Sequence, residues 1–282
     1  VKNLKLAFIC FSATVCLSSV QAGRLIKDRF PLVNLLSVLD TEKIQVKVAY
    51  SSPDNFTGKK LLSYPENICY LSREAAVALK KINAELNKRN YALRLHDCYR
   101  PYRASQELYE WARVGAQVPV TDQIRRWRYF NNPLLYFGFK YSPDPLSSEL
   151  NILGRFRSFE LLNLQLIAPA YLQNGIHYAS RHASGSTVDV SLLKILHGKD
   201  GKVSFEEVPM GTEFDSFESL SDWSAQFKDP QINKNREILR QAMNSRFRPY
   251  QKEWWHWTLR GEPFRDQYFN CPVQSQITLP CR

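Results

Sequence analysis

The chain has 282 residues, 44% of them hydrophobic and 23% charged, with a formal charge of +11 and six cysteines. This balance excludes a disordered or low-complexity chain, and the length suits one packed core with some long loops. No internal repeat is visible, which excludes solenoid and array architectures.

Residues 1–22 read differently from the rest. Lys2 and Lys5 precede a mostly apolar run from Leu6 to Leu17, and Val20-Gln21-Ala22 offers small residues for cleavage. The pattern predicts a secretory signal peptide, leaving residues 23–282 as a single exported domain, placed in a periplasm. The run is too short to span a bilayer and no second one follows, so no transmembrane segment is expected after its removal. Loss of Lys2 and Lys5 lowers the formal charge from +11 to +9. An exported chain of that charge suits an anionic cell-wall surface, outer-membrane lipid or acidic polymer, or simply a solvated basic face. Nucleic acid is not expected as a partner, because the chain is exported and carries no nucleic-acid-binding motif.

Four cysteines remain: Cys69, Cys98, Cys271 and Cys281. An even number in an exported chain predicts two disulfides. Three pairings are open; local spacing favours Cys271 with Cys281, which leaves Cys69 with Cys98.

Along the chain, KIQVKVAY at 43–50 alternates as a strand, and PDNFTG at 53–58 is a turn. Ser72 opens a helix to about residue 90, with Ala75, Ala76, Leu79, Ile82 and Leu86 at helical spacing. YALRLHDCY at 91–99 predicts a second strand, and a helix follows over about 103–114. Residues 116–178 are not assigned. Within them, RRWRYFNNPLLYFGFK at 125–140 fits either a partly buried loop covered by arginines or a stacking surface for bases or sugars. A strand runs over 187–193, where Val188, Val190 and Leu192 share one face and Asp189 and Ser191 the other. Residues 194–206 predict a hairpin turning at Gly198–Gly201. A helix over about 234–244, following Asn233, and a strand over 251–259 complete the series. Such interspersed helices and strand pairs predict an α+β fold: a central antiparallel sheet flanked by helices, with the site at one end of the sheet.

Candidate chemistry gathers on few residues. The chain has five histidines. His182 stands seven positions before Asp189, and His256 closes Glu253-Trp254-Trp255-His256. A catalytic zinc needs three nitrogen or oxygen ligands and one open position for water, and His182, Asp189 and His256 would supply the three. A carboxylate outside the metal shell must take the water's proton, which nominates Glu253. In a flat strand Glu253 and His256 would face opposite sides, so the strand is expected to start after Glu253 or to bulge there. Arg100, fixed between a strand end and Pro101, suits the stabilisation of an oxyanion.

HDCYRPYRA, SRHASGSTVDVSL, VPMGTEFD and EWWHW, in this order, resemble the zinc D-alanyl-D-alanine dipeptidases. The likeness runs from YSSPDNFTG to RGEPFRDQYFNCPV, about residues 46–274. It implies one zinc per chain held by His182, Asp189 and His256, Glu253 as base and proton shuttle, and Arg100 as the carbonyl-polarising residue. It further implies a small dipeptide substrate met by Tyr50, by Asp215 at its ammonium, and by Ser180 at the pocket wall. The sequence departs from the family in three places. Cys98 stands where glycine is usual, and residues 116–178 and 194–206 are extended. The implied activity is hydrolysis of D-Ala-D-Ala to two D-alanines in wall-peptide turnover or scavenging. The alternatives are a D,D-carboxypeptidase or endopeptidase acting on longer wall peptides, and a non-catalytic wall-binding relative.

Overall fold

A computed structural model describes residues 20–40, 43–116, 170–173, 176–216 and 219–281. In chain order its strands begin with β1 (Val20–Ile26), β2 (Val33–Asn34), β3 (Gln45–Val46), β4 (Tyr70–Leu71), β5 (Tyr91–Asp97) and β6 (Tyr171–Gln173). They continue with β7 (Ile176–Ser180), β8 (Thr187–His197), β9 (Val203–Glu207), β10 (Phe247–Tyr250), β11 (Glu253–Leu259) and β12 (Gln267–Phe269). The helices are α1 (Arg73–Asn87), α2 (Tyr102–Ala116) and α3 (Pro230–Asn244). The fold is α+β, as the element pattern predicts.

The central sheet has the order β10-β11-β8-β5-β3, with β9 beside the far half of β8. It is antiparallel except where β3 joins β5 in parallel. Strand β8 carries alternating apolar residues because one face meets helices. Val188, Val190 and Leu192 pack with Leu93 and Leu95 against Leu79, Ile82 and Leu86 of α1 and Ile238, Leu239 and Met243 of α3. Helix α1 starts where expected: the Ser72 hydroxyl accepts from the Ala75 amide at 3.3 Å. With the helices on that face, Asp189 of β8 and its register partner His256 of β11 are presented on the other.

A second sheet, β12-β1-β7-β6, pairs β1 in parallel with β12 and antiparallel with β7. The expected leader boundary at Ala22 falls inside β1, whose Val20–Ala22 pair with Ser180–Tyr178. A small ladder, β2-β4, completes the sheets among the described residues. The stretch 125–140 lies outside the described residues.

Three boundaries differ from the sequence reading. Only Gln45–Val46 of the 43–50 segment is strand, because the chain leaves the sheet for a 3-10 turn at Ala49–Ser51. That turn is held by the Asn55 amide, which donates to the Ser52 and Lys59 carbonyls at 2.7 and 2.8 Å. Helix α3 begins at Pro230 rather than near 234, since Asp229 caps it by accepting from the Gln231 amide at 2.8 Å. Asn233, read as the residue before the helix, instead binds Phe227 through both its amide groups. Strand β8 runs on to His197, so the hairpin strand expected to be new at 194 is its continuation, turning at Gly201 with φ +76°. Both disulfides take the pairing that spacing favours, Cys69–Cys98 and Cys271–Cys281.

Candidate active site

Three side chains meet on the face of the central sheet opposite helices α1 and α3. His182 comes from a 3-10 turn, Arg181–Ser184, just before β8; Asp189 from β8; His256 from β11. Each offers one ligand atom, and these atoms all lie within 4.8 Å of one another. His182 Nε2 is 3.4 Å from Asp189 Oδ2 and 3.3 Å from His256 Nδ1, and His256 Nδ1 is 3.2 Å from Asp189 Oδ1. All three residues are buried.

The hydrogen-bonding pattern suits this group to holding a metal ion. His182 Nδ1 lies 2.7 Å from the Cys98 carbonyl oxygen. A carbonyl only accepts, so Nδ1 carries the proton and Nε2 turns a lone pair toward Asp189 and His256. Asp189 Oδ1 is buried and finds no hydrogen-bond partner among the described residues. A buried orphan acceptor facing imidazole nitrogens is costly by itself and is satisfied by a cation. The donor set of two imidazoles and one carboxylate fits zinc.

Glu253 reaches the same face by the irregularity the sequence calls for. Opposite β10, Tyr250 pairs with Glu253 but Pro249 pairs with Trp257, so Trp254, Trp255 and His256 have no partner there. Trp254 and Trp255 turn into the core, and Glu253 Oε2 comes to 3.5 Å from His256 Nδ1. Burial, with the charges of Asp189 and Asp215, pushes the Glu253 carboxyl well above the ordinary range.

Arg100 lies across the site, its Nη2 3.8 Å from Asp189 Oδ2 and its guanidinium 5.0 Å from the centre of the Tyr50 ring. What fixes it is Asp97, a residue the sequence reading passed over. Asp97 is fully buried; its Oδ2 accepts from Arg100 Nε at 2.8 Å, and its Oδ1 from the Tyr64 hydroxyl at 2.8 Å and the Cys98 amide at 2.9 Å. The β5 ladder explains the placement. Leu95 pairs with Val190 but Asp97 pairs with Asp189, a one-residue bulge at His96 that turns Asp97 from the core face to the site.

The remaining sequence candidates divide. The Tyr50 hydroxyl donates to Asp215 Oδ2 at 3.0 Å, so these two face the site together. Burial and then Asp189 raise the Asp215 carboxyl well above the ordinary range. Ser180 is placed to hold local structure: its hydroxyl accepts from the His182 amide at 3.4 Å and caps the turn that carries His182. Arg236, also unassigned from sequence, anchors the loop that delivers Asp215. It is buried and donates to the carbonyls of Met210, Leu220 and Asp222.

The family model for D-Ala-D-Ala dipeptidase, peptidase M15, matches residues 31–132 and 167–274. The chain belongs to the D-Ala-D-Ala dipeptidase family. Similar to it are a D-alanyl-D-alanine dipeptidase of Enterococcus faecium, 29% identical over 80% of this chain and 90% of that one, and one of Enterococcus faecalis, 28% identical over 79% and 90%. A third, from Streptomyces coelicolor, is 27% identical over 79% of this chain and 90% of that one. The dipeptidase match covers Tyr50, Asp97, Arg100, His182, Asp189, Asp215, Glu253 and His256, and leaves residues 133–166 between its two blocks.

Proposed function

We propose that this chain hydrolyses the dipeptide D-Ala-D-Ala with one zinc ion held by His182, Asp189 and His256. The observation that carries the reading is the convergence of those three ligand atoms within 4.8 Å in a chain of the dipeptidase family. A zinc ion held there would supply Lewis acidity, to lower the pKa of a water and polarise a carbonyl. Glu253, 3.5 Å from His256, accepts the proton of the attacking water and returns it to the leaving amine. Arg100, held by Asp97, donates to the oxygen on which negative charge develops. Asp215 with Tyr50 receives the substrate ammonium, so the free dipeptide's charge is paired when it leaves water. Ser180 shapes the wall beside His182.

The physiological reading is turnover or scavenging of wall-derived dipeptide outside the cytoplasm, in a periplasm. It is supported by the leader-like residues 1–22, by two disulfides and by a net positive charge suited to anionic wall polymer.

The test compares wild type with Glu253→Ala on D-Ala-D-Ala, L-Ala-L-Ala and a wall pentapeptide ending in D-Ala-D-Ala. Wild type should cleave the free D,D-dipeptide, and the variant should lose about 10²–10⁴ in kcat while binding the same zinc. An active variant would remove Glu253 from the role of base. Preferred cleavage of the pentapeptide would replace the dipeptidase reading by the carboxypeptidase one.

A further inference from the structure

His182 owes its tautomer to one backbone oxygen, the Cys98 carbonyl, and that oxygen sits where the sheet no longer holds the chain. The β5–β8 ladder ends at Asp97 paired with Asp189. Cys98 is the next residue. Among the described residues its amide bonds to the neighbouring Asp97 side chain, at 2.9 Å, and its carbonyl is spent on His182 at 2.7 Å. Cys98 itself is tied to the body of the protein by the bond from its sulfur to Cys69, and two residues on the Arg100 amide donates to the His182 carbonyl at 3.3 Å.

Cys69 is firmly placed. Its carbonyl accepts from the Leu35 amide at 2.8 Å, and it immediately precedes β4, which pairs with β2 and leads into the cap of α1. Both cysteines are buried, at 0% and 1% exposure, so the link is not a surface staple. A second tie lies one residue on, where the Tyr99 amide donates to the Tyr70 carbonyl at 2.9 Å. That hydrogen bond limits how far the segment moves without the disulfide, and so limits the effect to a graded one.

We propose that the Cys69–Cys98 disulfide is a positioning element of the metal centre, fixing the carbonyl that orients His182 and so setting zinc affinity. The inference rests on the zinc reading above and adds to it a covalent support outside the ligand shell. Partners of this kind that orient a ligating imidazole are typically worth 10–100-fold in metal affinity.

The test is zinc affinity, measured on metal-stripped full-length protein by competition with a chromophoric chelator. It is run for wild type, Cys69→Ala/Cys98→Ala and, as control, Cys271→Ala/Cys281→Ala. The thermal midpoint of each metal-free protein records lost stability separately. Zinc should dissociate about 10-fold more readily from the Cys69/Cys98 variant than from wild type, with the control within about 2-fold of wild type. If the alanine pair does not fold, Cys69→Ser/Cys98→Ser replaces it. Equal affinity in wild type and the Cys69/Cys98 variant overturns the inference, as does equal weakening in both double variants, which would reflect general loosening. A wild type that binds no zinc is a different result: it overturns the reading of the site itself.

Discussion

Asp97→Asn is the substitution that separates placement of Arg100 from mere presence of Arg100. The carboxylate is fully buried and takes three donors: Arg100 Nε, the Tyr64 hydroxyl and the Cys98 amide. Asparagine has the same shape but one acceptor oxygen. One orientation of its amide sets NH₂ against the Cys98 N–H; the other sets it against Arg100 Nε–H. Either way the largely buried guanidinium loses its nearer charge partner and keeps only Asp189 at 3.8 Å. Stripping one member from a buried pair costs about 3–5 kcal/mol. Taking 3 kcal/mol, and about 2–4 °C per kcal/mol for a domain of this size, the thermal midpoint should fall by roughly 6–12 °C. A guanidinium misplaced by about 1 Å should lower kcat/KM about 10²-fold. The assay is dipeptide hydrolysis by wild type, Asp97→Asn, Arg100→Ala and the double variant. If Asp97 acts through Arg100, adding Asp97→Asn to Arg100→Ala should change kcat/KM little further. Full activity in Asp97→Asn, or full additivity in the cycle, would refute the reasoning.

Two further predictions concern residues around the site. His96 stacks on Phe214 at 4.5 Å and meets the Ser191 hydroxyl at 2.8 Å; burial, and then Arg94, lower its pKa to about 4. The unfolded chain, near 6.5, binds the proton more readily, so stability from this group is full above about pH 6.5 and is lost as pH falls toward 4. Relative to His96→Gln in urea unfolding, the metal-stripped wild type should lose at most about 2.5 kcal/mol between pH 7 and 4.5; a difference that stays flat with pH would contradict this. Arg236→Leu leaves the carbonyls of Met210, Leu220 and Asp222 without their donor. It should destabilise by about 3 kcal/mol and raise KM more than it lowers kcat, because the loop carrying Asp215 loosens; an unchanged KM would separate that loop from substrate binding.

How much of this was legible in the sequence depended on whether the signal was local. His182, Asp189, His256, Glu253 and Arg100 stand in short motifs whose residue types already state the chemistry, and the structure brings all five together. The bulge before Trp257 was legible too, because a flat strand could not turn Glu253 and His256 the same way. Asp97 was not. In a regular β5 it would share the face of Leu93 and Leu95, and only the bulge at His96 turns it, which strand alternation cannot reveal. The second sheet was missed for another reason. Its parallel contact joins Arg24 to Gln267 across nearly the whole chain, and β1 begins within residues 1–22, read as a leader. Helix α3 was started late because Asn233 was taken as its boundary in place of Asp229-Pro230.

The central claim is that His182, Asp189 and His256 hold the zinc on which dipeptide hydrolysis depends. Metal-stripped protein should be titrated with zinc while D-alanine release from D-Ala-D-Ala is followed, beside His256→Ala treated identically. Wild-type activity should be absent at the start, rise with added zinc and level off at one equivalent per chain, and the variant should stay inactive at that equivalence point. Hydrolysis by the stripped protein, or wild-type activity in His256→Ala at one equivalent, would contradict the account.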